Sequence, residues 1–582
     1  MNGYVNTLKE VTINHEVPPI HRTGNLVNQE VKTKSIVMPL KFQMKSFFER
    51  NNLLQPTLDY MKSFQNNDKL TNFVQEELWK EKNQLYPNKI VLPYFLYIDD
   101  FEINNPLGSH STKHSICNIY YSFLALSIEE IETENDKNVI FSVHFILGLV
   151  IGDNLGLNSF LNFNKSFSSH FFCRFCRASK EDTHKLSSEK NELIRTTANY
   201  EIDALNANFG VAKNSQLNSI PSFHVVNNYY ADVMHNLFEG ICHYIFCHII
   251  DYFISMKYFD LDTLNDRKQN FEYGPTEIDN ISFKIEPHHL KKWKLKMSAR
   301  EMMTFTLYFP IMIGDLVPLD DPVWNFLLNV IEIVDMLLCF EFDILNISIL
   351  EKKIEKHNND YITLFNDTLK PKYHNLTHYP KLIRKSGPLR KFWCFKYEAK
   401  HRQFKIYSRI ITSRKNICLT LTKKYELKFA HQLIIGTNFL KLHFNPNIKH
   451  KTLSNYKNII SKILHNTEIS IEFYSQVQHN GIEYKKDNYL VVYNNDVLFY
   501  KMLEIVVVEE KTLLFFWFTF TDCTRSNSPT SYLFNKDCKR KTLTAPKGIL
   551  QDDLASSTYY LHKNRVILNQ NVNFTNYIMQ II

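Results

Sequence analysis

Two aspartates, Asp99 and Asp100, close the apolar run KIVLPYFLYI, and Asp153 closes VIFSVHFILGLVIG in the same manner. A strand that ends on a carboxylate and then turns can aim that group at the space above a sheet. Two carboxylates converging there raise each other's pKa unless cations bridge them. A divalent pair such as Mg²⁺ (or Mn²⁺) resolves the conflict and creates a site for in-line phosphoryl transfer. A third carboxylate completes such a cage, and Glu398 in FWCFKYEAKHRQFK opens a helical pattern that could supply it. Against this stands the plainer reading of any single strand-end aspartate as a turn former or helix cap.

Other residues carry separate chemistry. Cys173 and Cys176 form a Cys-x-x-Cys pair, half of a zinc site. Its partners could be His184, or Asp232 and His235 from an Asp-x-x-His motif; two buried free thiols are the alternative. His235 could equally be a core histidine. His374 and His378, four apart in YHNLTHYP, share one helical face, and Pro380 close behind favours a structural role. Arg402, Lys405 and Arg409 recur at helical spacing after Glu398 and make a stripe suited to phosphates. A solvated helix face would look the same.

These groups need elements to hold them. Hydrophobic content of 44% and charged content of 22% fit a globular protein, and 582 residues suffice for several cores. A net charge of +8 is modest for this length, so a polyanion partner has to be argued from local clusters. The ten cysteines are scattered apart from Cys173 and Cys176, a pattern of a reducing compartment. The start of the chain has no apolar signal core, and the most apolar segments are too short or too charged to span a bilayer.

The patterning predicts an α/β fold in five parts. Residues 1–90 form a helical N-terminal region. Residues 91–184 hold three strands: KIVLPYFLYI, SICNIYYSFLAL and VIFSVHFILGLVIG. Residues 185–370 are helical, 371–440 carry further helices including the one with Glu398, and 465–582 read as short strands of a small β-barrel or sandwich.

Four segments in order resemble blocks of CACTA (En/Spm-type) DNA transposases. DDFEINNPLGSHSTKHSICNIYYSFLAL resembles the first catalytic block, and GLVIGDNLGLNSFLNFNKSFSSHFFCRFC the second. YADVMHNLFEGI looks like the Asp-x-x-His signature that follows the second aspartate, and SGPLRKFWCFKYEAKHRQFK looks like the third block. The resemblance implies an RNase H-like mixed sheet interrupted by a large all-α insertion. It implies a catalytic triad of Asp99, Asp153 and Glu398 on two Mg²⁺ (or Mn²⁺) ions, with Asp232 and His235 as a structural motif. Asp99 is aligned in preference to Asp100. The partners implied are transposon-end and target double-stranded DNA in the nucleus, with no membrane and with a homo-oligomer allowed. A Zn²⁺ on Cys173, Cys176 and His235 is compatible with it. Residues 1–90 contain no cysteine pair for an end-recognising zinc finger, which points to a truncated or domesticated derivative as the alternative to an active transposase. An unrelated metal-dependent nuclease with the same carboxylates is the third reading.

Overall fold

The structure is a computed structural model of the whole chain. It describes residues 7–17, 27–37, 40–50, 53–64, 69–102, 115–123, 142–271, 273, 280–411 and 416–435, and beyond these the strands between 443 and 567. The Asn-Pro turn at 104–106 lies outside the described residues. The chain is mixed α/β and divides into two compact units.

The first unit comprises residues 1–65, 97–141 and 395–439. Its first 40 residues depart from the expected helical region, because Thr7–Val17 and Val27–Val37 form an antiparallel hairpin, with Thr7 opposite Val37 and Val17 opposite Val27. TLKEVTINHEV places charged and polar residues on both faces, so its period of two leaves no apolar stripe to detect. Helices then follow at Leu40–Arg50 and Leu54–Ser63. Two more, Phe395–Ile410 and Ile417–Ile435, match the helical periodicity after Glu398. Aromatic contacts unite them: Tyr97 stacks on Tyr397 at 4.4 Å, Phe404 on Tyr425 at 5.3 Å, and the Ser122 and Tyr397 hydroxyls lie 2.9 Å apart.

The second unit comprises residues 66–96, 142–394 and 440–582. The three expected strands are present as Ile90–Glu102, Ser115–Ser122 and Val143–Ile151, in a sheet whose central strand is the first. That central strand passes from the second unit into the first at Leu96–Tyr97. Within the second unit its Phe95 packs so closely on Gly148 that a Cβ there would sit 2.7 Å from the ring.

The helical stretch is as patterned. Its π-helix Met234–Ile241 continues into Cys242–Ser255, and Ala299–Ile313, Pro322–Leu337 and Ile344–Phe365 pack beside it with nearly continuous buried apolar faces. Towards the C-terminus, strands from Ile471 to Ile567 pair antiparallel; Asp496–Val508 pairs with Thr512–Phe520 through a bulge between Met502 and Glu504.

Candidate metal centre and carboxylate sites

The Cys-x-x-Cys pair sits on a tight knuckle. Arg177 N–H donates to Leu193 O and Arg195 N–H to Phe175 O, so the knuckle is paired to a second short extended segment. The Phe175 N–H points back at Cys173 Sγ (3.3 Å), as it does where a thiolate carries charge. Phe172, Cys173, Cys176 and Ala178 are buried together, with Phe167, Phe175 and Leu193 packed around them.

Facing this knuckle are His374, on the helix Pro371–Thr377, and His378, at the junction with Tyr379–Ser386. Cys176 Sγ lies 3.1 Å from His374 Nε2, Cys173 Sγ 3.5 Å from His378 Nε2, and the two Nε2 atoms are 3.4 Å apart. All four ligand atoms fall within 4.8 Å of one another and all four residues are buried. Zinc bonds of about 2.3 Å to sulfur and about 2.05 Å to nitrogen define a tetrahedron with S–N edges of about 3.6 Å and N–N edges of about 3.3 Å. The donor set and its spacing therefore fit Zn²⁺. Outside the four ligands, Glu189 meets His378 Nδ1 at 2.5 Å and is itself held by Lys381 at 3.6 Å. A carboxylate on the far nitrogen fixes the tautomer that leaves Nε2 for a metal.

Charge in this pocket is balanced without exposure. Burial alone would raise the Cys173 thiol, but its hydrogen bond with Cys176 and the fields of His378 and His374 pull it well below its ordinary value. Cys176, the other partner in that hydrogen bond, is raised well above its own. Burial opposes a charge on His378, yet Cys173 and Glu189 push it up to about 9.

The expected third ligand, His235, is elsewhere. Its Nδ1 lies 2.7 Å from Asp232 Oδ2 and its ring belongs to a second cluster with Cys394. His184 also stands apart from the four ligands; its carbonyl accepts the Leu369 N–H. The metal pair that spacing alone could not assign is His374 and His378. The four-residue interval was visible in the sequence; the juxtaposition with Cys173 and Cys176 was not, because 198 residues separate Cys176 from His374.

The second cluster does not call for a metal. Asp232 is fully buried, and its Oδ2 accepts from the His235 N–H (2.9 Å) and the His235 ring, while Oδ1 accepts from the Cys394 N–H (2.8 Å). Cys394 Sγ contacts the Tyr230 hydroxyl. A carboxylate whose lone pairs are met by three N–H groups is a structural clamp. The π-helix that starts beside it leaves carbonyls short of partners, and Lys372 Nζ donates to two of them, His235 O (2.6 Å) and Glu239 O (3.1 Å). Gly240 makes this possible: a Cβ there would lie 2.2 Å from the Lys372 stem.

Of the three candidate catalytic carboxylates, Asp153 belongs to the second unit. It is the N-cap of Asn154–Phe160, its Oδ1 accepting from the Gly156 N–H, and no hydrogen bond reaches Oδ2 among the described residues. Its charge is felt by Lys372, as are those of Glu239 and Asp232.

Asp99 and Glu398 belong to the first unit. Asp99 follows Phe95 and Tyr97 on one strand face; its oxygens accept from the Tyr97 hydroxyl (2.9 Å) and the Asp100 N–H (2.8 Å), and His401 Nδ1 lies 3.4 Å away. Asp100 is exposed and faces Cys117, whose thiol it helps burial to push up to about 12. The alternation of the strand thus sets Asp99, not Asp100, towards the helix Phe395–Ile410. Burial, with a smaller contribution from Lys405, pushes His401 down to about 4, so it meets Asp99 as a neutral imidazole. Glu398 precedes His401 by one turn. With Arg402, Lys405, Ile406 and Arg409 it lines an open cleft of about 400 Å³, so the basic stripe and the glutamate share one helix face.

No protein-family model matches the chain, and no curated protein matches it.

Proposed function

We propose that the chain is a transposase-like, metal-dependent DNA strand-cleaving and strand-transferring protein, whose candidate catalytic carboxylates are Asp99 and Glu398 in the first unit and Asp153 in the second, and which is stabilised by a Zn²⁺ on Cys173, Cys176, His374 and His378. The observation that carries the reading is the single face on which Glu398 precedes Arg402, Lys405 and Arg409, on the helix whose His401 meets Asp99. Carboxylates that could hold a hard cation adjoin cations that could hold phosphates. The all-oxygen donor set suits Mg²⁺ or Mn²⁺, which when bound neutralises charge on the entering and leaving oxygens of a phosphodiester. The chain's own residues supply the rest. Tyr97 and His401 hold Asp99 in one orientation, Asp153 keeps Oδ2 for a cation while Oδ1 caps its helix, and the basic stripe orients the backbone to be cut. The fold expected with this chemistry is RNase H-like, with the residues between Asp153 and Glu398 as its helical insertion.

A host-adopted derivative that binds DNA without cutting shares every element. The capping bond of Asp153 is the one observation in its favour, since a cap alone would account for that aspartate. One assay separates the two. The purified full chain, given Mg²⁺ or Mn²⁺ and a labelled duplex, should nick it, and Asp153→Ala and Glu398→Gln should reduce nicking to background while binding persists. Equal nicking by the wild type and Asp153→Ala would refute the cleavage reading.

A further inference from the structure

The segment KKWKLK, residues 291–296, makes the densest run of exposed cations among the described residues of the second unit. Lys291, Lys292, Lys294 and Lys296 are all exposed, and none of them forms an ion pair among the described residues. The run is not a loose tail. The helix Pro287–Lys291 closes with Lys292 N–H donating to His288 O, Trp293 N–H to Leu290 O and Lys294 N–H to His289 O, all near 3.0–3.1 Å. Leu295, 1% exposed, pins the far end into the core.

Trp293 occupies a left-handed conformation at φ +54°, which a bulky side chain rarely adopts. Glycine would make this turn at no steric cost, so a tryptophan here is a strained choice of the kind found at functional positions. One face of its indole lies 4.0 Å from the His248 ring, and it remains 38% exposed. Two of the nearby acids are engaged. Glu286 pairs with His288 at 2.9 Å, and Asp367 with Lys370, Tyr361 and His248; Asp251 lies beside Cys247 and His248. The lysine charges repel one another, and no ion pair joins an acid to any of them among the described residues.

We infer that Lys291, Lys292, Lys294 and Lys296, with Trp293 at their centre, are a docking surface for the phosphate backbone of duplex DNA. The inference rests on the proposed function for its choice of polyanion. Point charges on flexible stems suit phosphate oxygens, and a pinned indole among them suits a sugar or base edge.

The test uses the full chain and a fluorescent duplex, with anisotropy titrations over a salt series. Replacing all four lysines by alanine should make the slope of log K against log salt shallower by about 0.9 for each lysine that meets a phosphate, about 3.6 if all four do. The four Lys→Arg replacements, which keep the charges, should retain the wild-type slope; if they bind as weakly as the alanine variant, the effect is structural and the inference is overturned. An unchanged slope in the alanine variant overturns it as well. So does lysine-dependent binding of polyglutamate or phosphatidylserine vesicles at affinities equal to that for DNA. If the wild type nicks in an Asp153-dependent way while the alanine variant keeps its slope, the docking surface fails and the cleavage reading stands. If the alanine variant loses the slope but the wild type does not nick, cleavage fails and the docking surface stands.

Discussion

Removing one zinc ligand should do more than empty a site. In the proposed zinc site the metal would join Cys173 and Cys176 to His374 and His378, and 198 residues separate Cys176 from His374. Cross-linking a loop of that length removes about 5 kcal/mol of chain entropy from the unfolded state, by the relation used for disulfides. A further contribution comes from the pocket itself, where Cys176→Ser would leave His374 facing a hydroxyl that binds Zn²⁺ poorly. At about 2 °C per kcal/mol for a large unit, the midpoint of thermal unfolding should fall by about 10 °C. The assay has two arms. Inductively coupled plasma mass spectrometry should find one zinc ion per wild-type chain and none with Cys176→Ser or His378→Ala. Differential scanning calorimetry should show that a chelator lowers the wild-type midpoint to that of Cys176→Ser and leaves the variant unmoved. His235→Ala should keep its zinc, because His235 is held by Asp232 and not by the four-ligand cluster. Wild-type protein purified without zinc, with a midpoint indifferent to chelation and to Cys176→Ser, would refute the reasoning.

Two further outcomes follow from buried carboxylates. Burial raises the Glu76 carboxyl from 4.5 to about 9, and its Oε1 has no hydrogen-bond partner among the described residues; the folded state therefore keeps a proton that the unfolded state loses, and stability falls as pH rises between those values. At about 1.4 kcal/mol per unit, the loss from pH 5 to pH 7 is about 2.7 kcal/mol, and urea titrations should find it abolished in Glu76→Gln; an unaltered slope in that variant would exclude Glu76 as the cause. Asp232→Asn replaces one acceptor by a donor against the N–H of Cys394 or of His235, and should cost about 3 kcal/mol in urea unfolding with zinc content unchanged; unaltered stability would refute the clamp.

How much of this was legible in the sequence depends on the range of the interaction. The strands ending near Asp99 and Asp153 were, because β-branched and aromatic runs followed by turn residues are local signals. The helix of Glu398 was, because its apolar and basic positions both recur at helical spacing. The face of Asp99 was implicit in the alternation Phe95–Tyr97–Asp99, which the structure resolves against Asp100. Two features depended on something else. The hairpin at 7–37 has polar residues on both faces, so no period appears. The zinc partners depend on tertiary topology: Cys-x-x-Cys names the motif, but many histidines compete to complete it, and the nearest in sequence were the wrong ones. Lys291–Lys296 was missed for another reason, since a lysine run reads as a solvated face until its backbone is seen to be pinned.

The second unit also shows why the Asp-x-x-His motif need not be a ligand set to be indispensable. Asn228 to Asp232 is a loop buried in the core, where unpaired backbone groups are costly. Each polar group met there is satisfied from a different part of the chain. The Asn228 amide brackets Val150 with two bonds of 2.9 Å on the strand leading to Asp153; Arg174, inside the Cys173–Cys176 knuckle, donates to Tyr230 O and to Asn154 Oδ1. Ser386 donates to Tyr229 O, Tyr379 to Asp232 O, and the Cys394 N–H to Asp232 Oδ1. Three segments drawn from between Val150 and Cys394 thus converge on residues 228–232. A network of this kind is stable only when complete, because any missing partner leaves a desolvated group behind. The metal knuckle, the cap of Asp153 and the approach to the Glu398 helix therefore share one set of hydrogen bonds, and a defect in any of them is felt by the others without a ligand passing between them.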